Sequence, residues 1–288
     1  AGHVQKAIAE KKYRSAMIEE KIQQQIDQDS LIINVIEHRV GELNGLAVYA
    51  MGDYSFGKPV RITAKTFMGE KGLVNIEREI QMSGKIHSKG VLTLSGYMGS
   101  QYAQDKNLSL SASLTLEQSY SGIEGDSASS AELYALLSSL AKLPLDQGIA
   151  VTGSVNQNGE IQPVGGINQK IEGFFQVCQR KGLNGRQGCI IPKKNLAQLM
   201  LDEIVVEAVQ SNQFHIWAVE SIDEGIEILS GIPAGKRDEN GEFPPGTVHY
   251  LVDEQLRAWS RKGRRGDVGA NDSEGNVSRA VRLRRKRR

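Results

Sequence analysis

After residue 108 the apolar pattern of this chain changes period again and again, and few architectures accept that. LSLSASLTLEQS (108–119) alternates with period two, as a half-buried strand does. A helical stretch follows at about 128–142. GIAVTGSV (148–155) and EIQPV (160–164) read as strands around an NQNG turn, and GGINQKIEGFFQVCQRKG starts a helix near Ile167. GCIIP is a short buried strand, NLAQLML a helical turn or two, FHIWAV a strand and SIDEGIEILSG a helix. Strands alternating with helices in this way imply an α/β arrangement.

The first half is richer in strands. Residues 3–28 read as one helix, with Val4, Ala7, Ile8, Tyr13, Met17, Ile18, Ile22 and Ile26 roughly on one stripe. HRVGELNGLAVYAM, KPVRITAKTFM and LVNIEREI then read as three strands between Gly-rich turns, the first two pairing with each other. SGKIHSKG reads as a loop, and Ser88 as the cap of a helix from about 90 to 104 whose Leu92, Ser95, Gly96 and Gly99 imply close packing. The fold class is therefore α/β (α+β), a mixed sheet with packed helices. Residues 1–30 form a leading helix, 31–233 the main domain, 234–259 an extension that starts as linker and finishes in a short helix, and 260–288 a basic, disordered tail.

Composition narrows the class of protein. A chain of 288 residues with 39% apolar residues can build a sizeable core. No apolar run reaches the roughly 18 residues needed to cross a bilayer. No signal peptide opens the sequence, so the expected location is cytoplasmic, with no membrane partner. Cys178 and Cys189 form neither a disulfide framework nor a metal motif, and no metal site is expected. The formal net charge of +1 conceals an asymmetry. Residues 260–288 hold 11 Lys+Arg against 3 Asp+Glu, a net of +8, and the remainder carries a net of −7. The chain begins at Ala1 without a Met, as a fragment or processed product would.

Ser127, in EGDSASSAEL, follows a Gly-punctuated loop at the start of a helix. It reads either as a helix cap or as a nucleophile whose oxyanion the free N–H groups of the helix would stabilise. A serine hydroxyl attacks only when something takes its proton. The five histidines are His3, His38, His87, His215 and His249. None sits in a motif beside a serine, and His3 and His249 fall in segments assigned to the edges, so a Ser-His-Asp triad has no support. A neutral lysine can serve if it is buried. Lys170 shares a helix face with Ile167, Ile171 and Phe174, just after Gly165 and Gly166. It reads either as that base or as a surface lysine with its stem on apolar neighbours.

Three blocks carry a family resemblance. EGDSAS (124–129), VTGSVNQNGEIQPVGGINQK (151–170) and REIQMSGKIHSKGVLTLSGY (78–97) together resemble the proteolytic domain of the Lon ATP-dependent serine proteases, in the LonB-like branch, over residues 35–232. The resemblance implies a Lon-type mixed sheet and a serine endopeptidase. Ser127 would be its nucleophile, Lys170 its general base and Thr152 a residue holding the lysine. Glu124 and Asp126 would lie in a loop able to close the site, with Asp126 near Lys170. An ionised Asp126 there would raise the lysine pKa and mark a resting state. The segment 114–123 is expected to bind substrate backbone by strand addition.

The resemblance also implies coupling to an AAA+ ATPase. No GxxxxGK[ST] phosphate loop occurs in the chain, and the leading helix resembles the end of an ATPase lid. No cofactor is therefore expected in this chain, and ATP and Mg are expected in an upstream module. Unfolded or damaged proteins are the implied substrates and a homo-hexamer the implied assembly. A catalytically silent domain of the same fold, used for assembly or binding, is the competing reading. The tail 260–288 could hold nucleic acid through non-specific phosphate contacts, but it lacks interleaved aromatics.

Overall fold

The structure is a computed structural model that describes residues 3, 6–7, 10, 14–52, 54–120 and 122–262. Its leading helix is α1, Met17–Asp27. Half of the expected helix before it lies outside the described residues. The strands β1 (His38–Val40), β2 (Glu42–Met51), β3 (Tyr54–Met68) and β4 (Gly72–Asn75) follow. A four-residue helix α2 (Ile76–Glu79), α3 (Lys85–Tyr102), β5 (Leu110–Leu116) and α4 (Ser129–Ala141) come next. Then come β6 (Pro144–Asp146), β7 (Ile149–Val151), β8 (Ser154–Val155), β9 (Ile161–Gln162) and α5 (Ile167–Lys181). The last elements are β10 (Gly188–Pro192), a 3-10 turn (Lys193–Gln198), α6 (Glu203–Gln210), β11 (His215–Val219), α7 (Ile222–Ser230) and a helix α8 over 248–262.

Seven strands form one mixed sheet in the order β11-β10-β7-β2-β3-β5-β4. β11, β10, β7 and β2 run parallel, β3 is antiparallel to both β2 and β5, and β4 is parallel to β5. Alternation along each strand feeds two cores, one per face. Ile149 and Val151 join one, which holds α3, α4, α7 and α8; Ala150 between them joins the other, which holds α1 and α5. The expected fold class stands.

Four local expectations change. The helix expected from about 90, with Ser88 as its cap, begins about five residues earlier, at Lys85 after Gly84. Its first turn is served by a distant carboxylate, Glu124, whose Oε1 accepts from the Ile86 N–H at 3.3 Å. Gly96 does pack closely, against the Gln157 side chain, whereas Leu92 and Ser95 are exposed and Gly99 has open space beside it. In LVNIEREI the strand stops at Asn75, because the Asn75 side chain accepts from the Arg78 N–H and caps α2. The strand expected over 148–155 breaks at Gly153: the Thr152 N–H still donates to Ile190 of β10, and the Gly153 backbone turns to the loop before α4. The stretch expected to start as linker already packs on the core through Phe243, and the helix expected to follow is α8, where Val248, Val252 and Leu256 are buried and which runs on through 260–262. The tail from 263 lies outside the described residues.

Candidate active site

Three segments far apart in sequence meet at the end of the central strands. The first is the loop into α4. The N-cap of α4 is Ala128, with no side-chain cap bond, so Ser127 sits just before the helix and does not cap it. Among the described residues no carbonyl accepts from the N–H of Asp126 or Ser127. The second segment is the break after β7. Thr152 N–H donates to the Ile190 carbonyl, while Gly153 N–H donates to the Ser127 carbonyl at 2.9 Å and Thr152 Oγ1 donates to it at 3.3 Å. The Ser130 N–H in turn donates to the Gly153 carbonyl at 3.1 Å. That exchange is why the strand ends there, and it fixes Ser127 against the sheet.

The third segment is the start of α5. Gly166 lies at φ +66°, and a Cβ there would stand 2.6 Å from Val48 Cγ2. Glycine lets the chain turn into the helix against β2. One turn on, Lys170 is 3% exposed beside Ile167, Ile171 and Phe174, all buried. Its backbone lies almost on β3, where a Cβ on Gly57 would come within 1.8 Å of the Gln169 carbonyl oxygen.

The side chains then converge. Lys170 Nζ is 3.0 Å from Ser127 Oγ and 3.0 Å from Thr152 Oγ1. Burial pushes the lysine pKa down to about 8, and the nearby Asp126 charge opposes that shift. A group with that pKa takes and returns protons near neutral pH. The pair opens into a cleft of about 590 Å³ between β2, Ser119, residues 122–125 and the Gly165–Gly166 turn. β2 pairs with β7 only at Asn44 and Gly45, so on that side its edge from Leu46 to Ala50 has no strand partner among the described residues.

The structure thus brings Ser127, Lys170 and Thr152 together. It keeps the two acidic residues off the lysine amine. Asp126 accepts from Ser154 Oγ at 2.8 Å, and among the described residues neither a hydrogen bond nor an ion pair joins it to Lys170. Glu124 faces the start of α3. The expected closing contact is therefore not made here. Of the segment 114–123 expected to take substrate by strand addition, residues up to 116 are already paired, with β3 on one side and, to Leu114, with β4 on the other. The free edge of β2 was not legible in the sequence, since pairing partners are set by topology.

Among the described residues no histidine touches Ser127. His249, assigned to an edge, is 1% exposed between the Tyr102 hydroxyl (2.5 Å from Nδ1) and Asp223 (3.0 Å from Nε2). Both cysteines are free and buried. No cluster of His, Cys, Asp and Glu fit to hold a metal ion occurs among the described residues, and none of their helices is long and apolar enough to cross a membrane.

The family model for the Lon protease (S16) C-terminal proteolytic domain matches residues 18–230. The chain belongs to this family. A Lon protease homolog of Escherichia coli (strain K12) is 41% identical over 224 residues, covering 77% of this chain and 38% of that protein. One from Haemophilus influenzae is 43% identical over 210 residues, covering 72% of this chain and 35% of that protein. An archaeal Lon protease of Archaeoglobus fulgidus is 30% identical over 193 residues, 66% of this chain and 28% of that protein. The Lon domain therefore spans well under half the length of these curated relatives.

Proposed function

We propose that this chain is the proteolytic part of a Lon-type serine endopeptidase working through a Ser127–Lys170 dyad. The observation that carries the reading is the buried Lys170 amine, 3.0 Å from Ser127 Oγ at the edge of an open cleft. Neutral Lys170 takes the Ser127 proton as Oγ attacks a substrate carbonyl. The unengaged N–H groups of Asp126 and Ser127 receive the oxyanion. Lys170 then protonates the leaving amine, and after acyl transfer it activates the water that frees Ser127. Thr152 keeps the amine on Oγ. The free edge of β2 binds the substrate main chain as an added strand, which favours extended, unfolded segments over particular side chains.

The rest of the reading extends beyond the chain in hand. An AAA+ module carrying ATP and Mg would lie upstream, feeding unfolded proteins to a homo-hexamer in the cytoplasm. The basic tail would add non-specific nucleic-acid contacts. The test is cleavage of casein and small fluorogenic peptides by the wild type, Ser127→Ala and Lys170→Ala, alone and within the longer chain with ATP and Mg. Loss in both variants, with circular dichroism unchanged, supports the dyad. Cleavage that survives in Ser127→Ala removes it, and a wild type silent in both forms favours a domain used for binding or assembly.

A further inference from the structure

The nucleophile loop rests on the first turns of α3. Ile123 N–H donates to the Met82 carbonyl and Gly84 N–H to the Ile123 carbonyl. Asp126 Cβ lies 3.3 Å from where a Cβ on Gly90 would stand, so the glycine gives the loop a close seat that a larger residue would push back by a few tenths of an ångström. Between these two contacts sits His87. Its side chain is 1% exposed, with Nε2 3.6 Å from Oε1 of the equally buried Glu132 on α4. Among the described residues, neither His87 Nε2 nor either Glu132 oxygen has a hydrogen-bond partner. The Gly125 carbonyl is near enough to the ring to favour its protonated form against the effect of burial.

Burying two ionisable groups with so few partners is costly unless they serve one another. Burial, aided by the Glu77 charge, pushes the Glu132 carboxyl up to about 8, and burial pushes the His87 imidazole down. Both groups are then mostly uncharged at neutral pH. A protonated Glu132 facing Nε2 at 3.6 Å favours the tautomer that leaves the His87 proton on Nδ1. Two other acids face the ring, Glu77 and Glu124. Both are committed elsewhere: Glu77 to Thr115, Leu116 and Asn75, and Glu124 to the start of α3.

We propose that His87 is a positioning residue for Ser127: held at Nε2 by the Glu132 carboxyl, it donates from Nδ1 to the Gly125 carbonyl and fixes the peptide leading into the nucleophile. A trans peptide is planar, so its carbonyl and N–H point in opposite directions. A Gly125 carbonyl turned to His87 turns the Asp126 N–H the other way, where nothing among the described residues accepts it. His87 thereby holds ready one of the two donors assigned above to the oxyanion. This inference rests on the Ser-Lys reading.

Three substitutions and one spectrum test it. His87→Phe removes both nitrogens and lowers kcat about tenfold or more, with KM within about twofold, because the lost contact matters when oxyanion charge develops. His87→Asn places an amide donor where Nδ1 stood and restores kcat to within about threefold of wild type. Glu132→Gln keeps a donor for Nε2 and costs less than His87→Phe. A mere packing role gives the reverse order, since Asn leaves the larger void. Nitrogen-15 NMR of the full chain reads the tautomer of His87 directly. A proton on Nδ1 is the expected result, and a proton on Nε2 overturns the proposal whatever the variants do. If Ser127→Ala abolishes cleavage while the His87 variants keep wild-type kcat, the positioning role falls and the dyad stands. If Ser127→Ala still cleaves, the dyad falls, and the tautomer alone decides whether His87 holds the loop.

Discussion

Lys170 shows how much one side chain's surroundings decide. An ordinary lysine would be neutral in a negligible fraction at pH 7; with a pKa of about 8, about one molecule in ten carries the free amine. Peptide cleavage should rise from pH 6 to a plateau above about pH 9. Asp126 raises the Lys170 pKa, so Asp126→Asn should move the midpoint of that profile to lower pH, read from kcat/KM across pH 6–10. An unmoved midpoint would show that the Ser154 contact already screens the carboxylate. Stability carries the same shift with a definite sign. The folded pKa lies below the unfolded one, so the unfolded chain binds more protons between about pH 8 and 10.5, and stability rises with pH across that window. Lys170→Met should therefore be more stable than wild type at pH 7, by on the order of 2–3 kcal/mol, with the gap closing towards pH 10.5 in urea titrations. Lys170's burial was legible from Ile167, Ile171 and Phe174 on its face. The Asp126–Ser154 contact was not, because it joins residues 28 apart that no local pattern links. His249 was misplaced for a related reason: its partners Tyr102 and Asp223 lie on other helices.

At the scale of elements, local periodicity located most helices and strands, and their ends were set by tertiary contacts. β7 stops where Gly153 turns to the Ser127 carbonyl. α3 starts where Glu124 reaches its first turn, so KIHSKG is helical although it was expected as loop. Helix α6 was missed outright, because EIVVEAVQ is short and rich in β-branched residues that also suit a strand. The closest approach between elements is α5 on β3. A Cβ on Gly173 would lie 2.2 Å from the Gly57 carbonyl oxygen, the converse of the Gly57 contact with Gln169. Backbone cannot yield there as a side-chain tip could. Gly57→Ala should therefore cost roughly 2–3 kcal/mol and displace Lys170 from Ser127. Both a lower urea midpoint and lost peptidase activity are expected. A normal midpoint with normal activity would mean that α5 slides freely on the sheet.

At the scale of the molecule, the core on one face of the sheet is completed late. Val248, Val252 and Leu256 are fully buried against elements from the first half of the chain. Each contributes about 1.5–3 kcal/mol by burial, and together they rival the net stability of an ordinary domain. A chain ending at Gly231 should aggregate or unfold, whereas one ending at Lys262 should keep the wild-type unfolding midpoint. Equal midpoints for all three chains would contradict this account of α8. The sequence pattern there resembled a linker because Gly235, Gly241, Pro244, Pro245 and Gly246 dominate its first half. The same Lys262 truncation tests the tail: salt-sensitive DNA binding should vanish with it. The central claim is the dyad, and cleavage of a fluorogenic peptide by wild type, Ser127→Ala and Lys170→Ala, in this chain and in the longer protein proposed above, tests it most directly. The account predicts a loss of at least ~10³-fold in each variant, with folding intact. Cleavage by either variant within tenfold of wild type would contradict it.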